Sequence, residues 1–198
     1  VQILSNKGHL MRKAEHKDKA IVTTILAASF KNDPHINWFL EESRNRNKFN
    51  ILIDYVFEET IRKGEIYISK DNMATALWES EKKEKFSLNY ILRNLSFLFS
   101  IGIKSTIRIL KMNKLIYSQF PKHRSYFHLY LIGVLPEVQG KGLASSLMNP
   151  ILAEKKANKI PVYLETANPK NVEIYKRKGF SIFNTFQTEN TTIYFMKT

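Results

Sequence analysis

The residues with the clearest chemical potential run from Val134 to Ala144, Val-Leu-Pro-Glu-Val-Gln-Gly-Lys-Gly-Leu-Ala. A β-type run, Phe127 to Ile132, leads into them, and a helical pattern starts at Leu143. A strand that ends in a turn marked by Gly140 and Gly142 and then enters a helix can grip an anion. Its glycines let the backbone approach a ligand, and the first amides of a helix lack an internal acceptor. Two other glycine motifs do not fit. The dinucleotide fingerprint needs a third glycine where Ser145 stands, and a Walker A loop needs one where Leu135 stands.

A second stretch with chemical potential follows, Val162 to Phe180. Val162 to Thr166 reads as a short strand that carries Glu165. Asn168 suits the N-cap of the next helix, and Pro169 suits its first position, where a missing N–H costs nothing. Gly179 suits the left-handed residue that ends that helix, with Lys176, Arg177 and Lys178 complementing its negative end. Asn171 and Tyr175 are four residues apart and so share one helical face. Taken alone, Tyr175 reads more readily as a core aromatic beside Val172 than as a functional group.

The elements that must position these residues follow from periodicity. Lys19 to Phe30 has helical spacing and is broken at Asp33-Pro34, and a second helix is expected over 44–63. Strands are expected through Ile66 to Ile68 and from Ala74 to Glu79, joined by a turn at Lys70-Asp71-Asn72. Residues 86–118 are apolar at helical spacing and interrupted at Gly102, which predicts one or two inserted helices. The helix over 143–157 turns Leu143, Leu147, Ile151 and Leu152 inward, with a bend expected at Pro150. A hairpin of 180–188 and 190–196 closes the chain.

Gln139-x-x-Gly142-x-Ala144 resembles the signature with which the GNAT superfamily of acyltransferases grips the pyrophosphate of coenzyme A. Asn168, Asn171, Tyr175 and Gly179-Phe180 resemble the superfamily's next motif at the right distance. The resemblance implies an α/β fold of GNAT type, a mixed and mostly antiparallel sheet of about seven strands flanked by helices. It also implies a helical insert between strands three and four. The implied activity is acetyl-CoA-dependent N-acetylation of a primary amine on a small molecule or peptide, by direct attack in a ternary complex. Acetyl-CoA would lie along Ile132, Gly133 and Val134, with Gly133 permitting close approach and the Val134 amide polarising the thioester oxygen. Gln139, Gly140, Lys141, Gly142, Leu143 and Ala144 would wrap the pyrophosphate, Asn168 and Asn171 would contact the cofactor, and Tyr175 would protonate the departing thiolate. Glu165 is the candidate base, though it could equally be a carboxylate satisfied by neighbouring hydrogen bonds, and Glu79 is a second candidate. Trp38 and Trp78 could line an acceptor pocket, although tryptophan is more often core. Phe30 to Pro34, Trp38-Phe39 and Ala76-Leu77-Trp78, with the insert, resemble the branch that contains puromycin N-acetyltransferase.

Composition bounds these expectations. A chain of 198 residues can bury one core, and its lack of cysteine excludes thiol nucleophiles, disulfides and cysteine zinc sites. His9, His16, His35, His123 and His128 show no ligand spacing, so no metal is expected and they read as ordinary surface or strand residues. The formal charge of +13 is dispersed and accompanies no recognition motif, so nucleic acid is not an expected partner. No secretory signal is visible, residues 1–10 read as a leader or disordered extension, and 11–198 as one domain. The most apolar run, 94–103, is half the roughly twenty residues that span a bilayer, so no membrane partner is expected. A cytoplasmic monomer or homodimer is the expectation. A coenzyme-binding sensor without chemistry remains the alternative.

Overall fold

The computed structural model describes residues 11–31, 33, 36, 40, 46–80, 88–122, 125–188 and 191–198. Seven strands form one sheet in the order β1-β2-β3-β4-β5-β7-β6. They are β1 Met11–Lys13, β2 Gly64–Ser69, β3 Ala74–Ser80, β4 Phe127–Val134, β5 Val162–Thr166, β6 Ser181–Gln187 and β7 Thr192–Lys197. Every neighbouring pair is antiparallel except β4 and β5, which are parallel. A parallel pair needs a crossover, and the helix after the glycine turn supplies it.

Six α-helices lie among the described residues: α1 Lys19–Phe30, α2 Arg46–Lys63, α3 Leu88–Ile101, α4 Ile103–Ser118, α5 Leu143–Ala157 and α6 Pro169–Lys176. The helix expected over 44–63 is described from Arg46. The insert is two helices that meet at Gly102, whose φ of 88° ends α3 in a conformation few other residues adopt. Pro150 lies inside α5, where it withdraws one intrahelical donor.

Alternation along the strands sends side chains to two faces, and each face builds a core. On one face α5 and α6 cover Trp78, Phe127, Leu129, Val162, Leu164 and Met196. On the other, α1, α2 and α3 cover Ile66, Ile68 and Leu77. On that same face α4, through Met112 and Ile116, and Phe120 just after it cover the β5–β7 side, packed against Ile193 and Phe195. The chain thus folds as three layers with the sheet in the middle, the mixed and mostly antiparallel arrangement that the family resemblance implies.

Asp18 fixes the start of the first layer. Its carboxylate accepts both Arg12 guanidinium nitrogens at 2.7 Å and the Glu15 amide at 2.9 Å. The hydrogen bonds from Arg12 hold its pKa down at about 2. They tie the end of β1 to the entry of α1.

Candidate active site

The parallel seam is short. β4 and β5 pair only at Phe127–Val162, His128–Tyr163 and Leu129–Leu164. β4 continues along β3 to Val134, whereas β5 ends at Thr166, so the two strands part. Leu77 pairs with Leu131 but Trp78 with Leu129, which leaves Tyr130 as an extra residue. This bulge puts Tyr130 and Leu131 on the same face, both against the α1–α2 core. Beyond it, the Leu135 amide donates to the Met73 carbonyl on the β3 side at 2.9 Å. Strand alternation then turns the Ile132 and Val134 amides toward the edge that β5 leaves open. The Val134 carbonyl on that edge accepts from Ser29 Oγ at 2.9 Å and Gln139 Nε2 at 3.1 Å.

Gly140 and Gly142 have φ of 78° and 84°, and a Cβ on either would meet nothing within 4 Å. Both positions require glycine for backbone conformation, and both face open space. The Gln139 and Lys141 amides turn back to the Pro136 and Val138 carbonyls at 3.4 Å. This narrows the sequence reading, in which every amide from Gln139 to Ala144 is available. The amides of Gly140, Gly142, Leu143 and Ala144 remain without a backbone acceptor among the described residues. The donor set suits a diphosphate: several N–H groups on one turn, a helix N-terminus and the exposed Lys141 beside it.

Gly133 corrects an expectation. A Cβ there would lie 2.9 Å from Ser29 Oγ and 3.3 Å from Leu26 Cδ2. Its missing side chain makes room for α1, not for a cofactor. The reason was hidden because Ser29 is distant in sequence and becomes a neighbour only after folding.

His128 is the larger surprise. Instead of an ordinary surface or strand residue, it is a fully buried link between two carboxylates. Glu79 on β3 is its direct cross-strand partner, and Glu165 on β5 lies two residues beyond its parallel partner Tyr163. His128 Nε2 is 2.8 Å from Glu165 Oε2, and Nδ1 is 3.5 Å from Glu79 Oε2. The Tyr117 hydroxyl at the end of α4 donates to the same Glu79 oxygen at 2.6 Å. Burial alone would lower the His128 pKa, but Glu165 first and Glu79 second overcome it and lift it to about 9. Burial pushes the Glu79 carboxyl upward, yet its bonds to His128 and Tyr117 hold it below the usual range. Burial and then Glu79 raise the Tyr117 pKa, so that hydroxyl stays protonated. With His128 protonated, two carboxylates and one imidazolium leave one net negative charge beside the opening. Among the described residues no group of three or more His, Asp or Glu side chains is placed to hold a metal ion. The available signal was a single acidic or histidine side chain in each of three strands, Glu79, His128 and Glu165.

Tyr175 lies on the opposite face, buried in the α5–α6 core with its ring edge-on to Phe180. Burial first and the Glu165 charge second raise its pKa, so the hydroxyl carries its proton at neutral pH. Asn168 caps α6, its Oδ1 accepting from the Lys170 amide at 3.0 Å, so that carboxamide oxygen is already engaged. Asn171 is half-buried on the first turn of α6. Trp78 is fully buried and stacked on Phe127, a place in the core and not on a pocket wall. Glu79, its neighbour in sequence, points to the other face. Trp38 lies outside the described residues.

This arrangement has known counterparts. Residues 110–182, from α4 through the glycine turn to the start of β6, match the family model described as Acetyltransferase (GNAT) domain. The fold is the GNAT fold. A histone acetyltransferase HPA2 and related acetyltransferase structure from Corynebacterium glutamicum aligns with a TM-score of 0.66 at 17% identity, over 94% of this chain and 93% of that one. Arylalkylamine N-acetyltransferase 2 from Aedes aegypti aligns with a TM-score of 0.64 at 16% identity, over 95% and 97%. Arabidopsis thaliana Naa50, in complex with the bisubstrate analogue CoA-Ac-MVNAL, aligns with a TM-score of 0.56 at 17% identity, over 95% and 96%. The likeness covers nearly the whole length of each of these neighbours.

Proposed function

We propose that this protein is an acetyl-CoA-dependent N-acetyltransferase that acetylates a primary amine of a small molecule or peptide. The observation that carries the reading is the parting of β4 and β5 between a glycine turn with free amides and the Glu79–His128–Glu165 cluster. The family model over 110–182 and the Arabidopsis Naa50 complex with a CoA-containing analogue support the choice of cofactor. Bound acetyl-CoA would supply the activated acyl group. The Gly140, Gly142, Leu143 and Ala144 amides would hold its diphosphate, with Lys141 adding charge and Asn171 a polar contact. The Ile132 and Val134 amides would pair with the arm that reaches into the opening.

Each protein group then has a proton or a charge to manage. An amine reaches the site largely as an ammonium ion and must lose a proton before it can attack. The net negative cluster favours its arrival, and Glu165, partly exposed at the opening, accepts the proton. His128, with Nε2 2.8 Å from Glu165 Oε2, fixes the orientation of that carboxylate. The Val134 amide donates to the acyl oxygen, where a preorganised donor in a dry site contributes most. Tyr175, which keeps its proton at neutral pH, would supply it to the departing thiolate. We further place the chain beside the branch containing puromycin N-acetyltransferase, on Ala76-Leu77-Trp78 and the helical insert, and in the cytoplasm.

Thiol release from acetyl-CoA across aminonucleosides, polyamines, arylalkylamines, amino acids and peptide N-termini tests the reading. Acceptor-dependent release that disappears in Glu165→Gln supports it. Acetyl-CoA binding with no release for any amine would favour a coenzyme sensor, and no binding would overturn the assignment altogether.

A further inference from the structure

Helices α3 and α4 leave apolar side chains in solvent in a regular pattern. Leu92, Leu95 and Phe99 form one stripe along α3, at 55%, 46% and 81% exposure. Ile103, Ile107 and Leu110 form another along α4, at 68%, 45% and 61%. Spacings of three and four put each set on one helical face, opposite Phe97 and Ile101 in α3 and Met112 and Ile116 in α4, which are buried. Phe99 and Ile103, the most exposed large apolar residues described, flank the Gly102 corner. The folded core uses the inner faces of these helices and leaves the outer ones bare.

The charge pattern decides what could cover them. Residues 88–118 hold Arg93, Lys104, Arg108, Lys111 and Lys114 and not one acidic residue. Arg93 is committed to Glu58 and Glu59 of α2. Lys104, Lys111 and Lys114 are exposed on α4, with Lys104 and Lys111 flanking its apolar stripe. A second copy docking through this face would oppose two acid-free cationic surfaces. Nucleic acid would use the lysines but give the aliphatic side chains nothing to enter. An anionic lipid surface uses both, since a basic amphipathic helix lies in the interface with its apolar face sunk below the headgroups. We infer that the α3–α4 corner docks on anionic lipid bilayers, with Phe99 and Ile103 entering the headgroup region and the α4 lysines facing lipid phosphates.

This mode of binding differs from the spanning helix against which the sequence reading weighed the charge-free run 94–103. No described helix is long and apolar enough to cross a membrane, and peripheral docking needs none. The docking residues are none of those assigned to the glycine turn or the acid cluster, and the test does not depend on the proposed activity.

Co-sedimentation with vesicles tests the inference on the full chain. Phosphatidylcholine vesicles containing phosphatidylglycerol should pull the protein down, and vesicles of phosphatidylcholine alone should do so at least tenfold less. Each lysine near a charged surface contributes about fivefold, so Lys104→Glu with Lys111→Glu should reduce binding to the anionic vesicles by well over tenfold. Phe99→Ser with Ile103→Ser removes only exposed apolar surface, so it should fold, show an unchanged circular dichroism spectrum and keep acetyl-CoA affinity, yet lose vesicle binding. Absence of sedimentation with anionic vesicles at low ionic strength would overturn the proposal. So would a dimer in sedimentation velocity that the Phe99/Ile103 variant dissolves, or a duplex oligonucleotide that binds more tightly than the vesicles and depends on the lysines alone.

Discussion

At the scale of single residues, two buried hydrogens define the chemistry, one on the Tyr175 hydroxyl and one shared by His128 with its carboxylates. Tyr175→Phe removes one hydroxyl and keeps the ring against Phe180. Turnover on an active acceptor should fall about a hundredfold while the calorimetric acetyl-CoA affinity changes little; undiminished turnover would return Tyr175 to a packing role. His128 makes a claim about stability. Its pKa rises from an ordinary 6.5 to about 9 on folding, so the folded chain holds a proton that the unfolded chain releases. That stabilisation is complete below pH 6.5 and drains away as pH rises through about 9. Urea denaturation should therefore show stability falling between pH 7 and 10, and His128→Gln should remove that slope. The same substitution leaves the buried Glu79 carboxylate without its cation beside half-buried Glu165 and should cost about 3 kcal/mol near neutrality, part of it recovered by adding Glu79→Gln. A flat pH profile in the wild type would mean that His128 is neutral.

At the scale of elements, the glycines of β4 and its turn do two different jobs. Gly142 serves the turn: its φ of 84° and the open space beside it leave backbone amides exposed. Gly142→Val would strain the turn and fill that space, so the melting-temperature rise produced by acetyl-CoA should largely vanish, where NAD and ATP give no comparable rise in the wild type. An unchanged rise would put the diphosphate elsewhere. Gly133 serves packing. Gly133→Ala forces a methyl onto Ser29 and Leu26 and should cost about 1–3 kcal/mol in thermal or chemical unfolding, with Ser29→Ala recovering part of it. These elements were legible to different degrees for a physical reason. The cap at Asn168, the proline after it and the glycine turn are local signals within a few residues, so sequence alone located the strand–turn–helix units and the order of elements along the chain. The Glu79–His128–Glu165 line joins residues from three strands, and the Gly133–Ser29 contact joins residues more than half the chain length apart. No local pattern encodes such meetings. Trp78 shows the converse: its type suggested a pocket, and only the alternation along β3 reveals that it faces the core while Glu79 faces the cluster.

At the scale of the whole molecule, the sheet is two blades joined by three rungs. Residues 11–134 contribute β1 to β4, residues 162–198 contribute β5 to β7, and only Phe127 to Leu129 and Val162 to Leu164 connect them. Beyond these rungs the join includes the His128–Glu165 contact and side-chain packing, from α5 on one side and α4 on the other. Such a seam is a natural line along which a folded chain opens locally without unfolding entirely. A long ligand lying in the gap, touching amides of β4 and side chains from β5 and α6, would act as a rivet through both blades. Hydrogen exchange should report this directly: acetyl-CoA should slow exchange at the three rungs, several residues away from the turn that holds its diphosphate. If protection stops at residues 139–144, the ligand grips only one blade. If it runs down the seam, the coenzyme is part of what holds this sheet together, and a cell short of acetyl-CoA would contain a more easily opened, more readily degraded form of the protein.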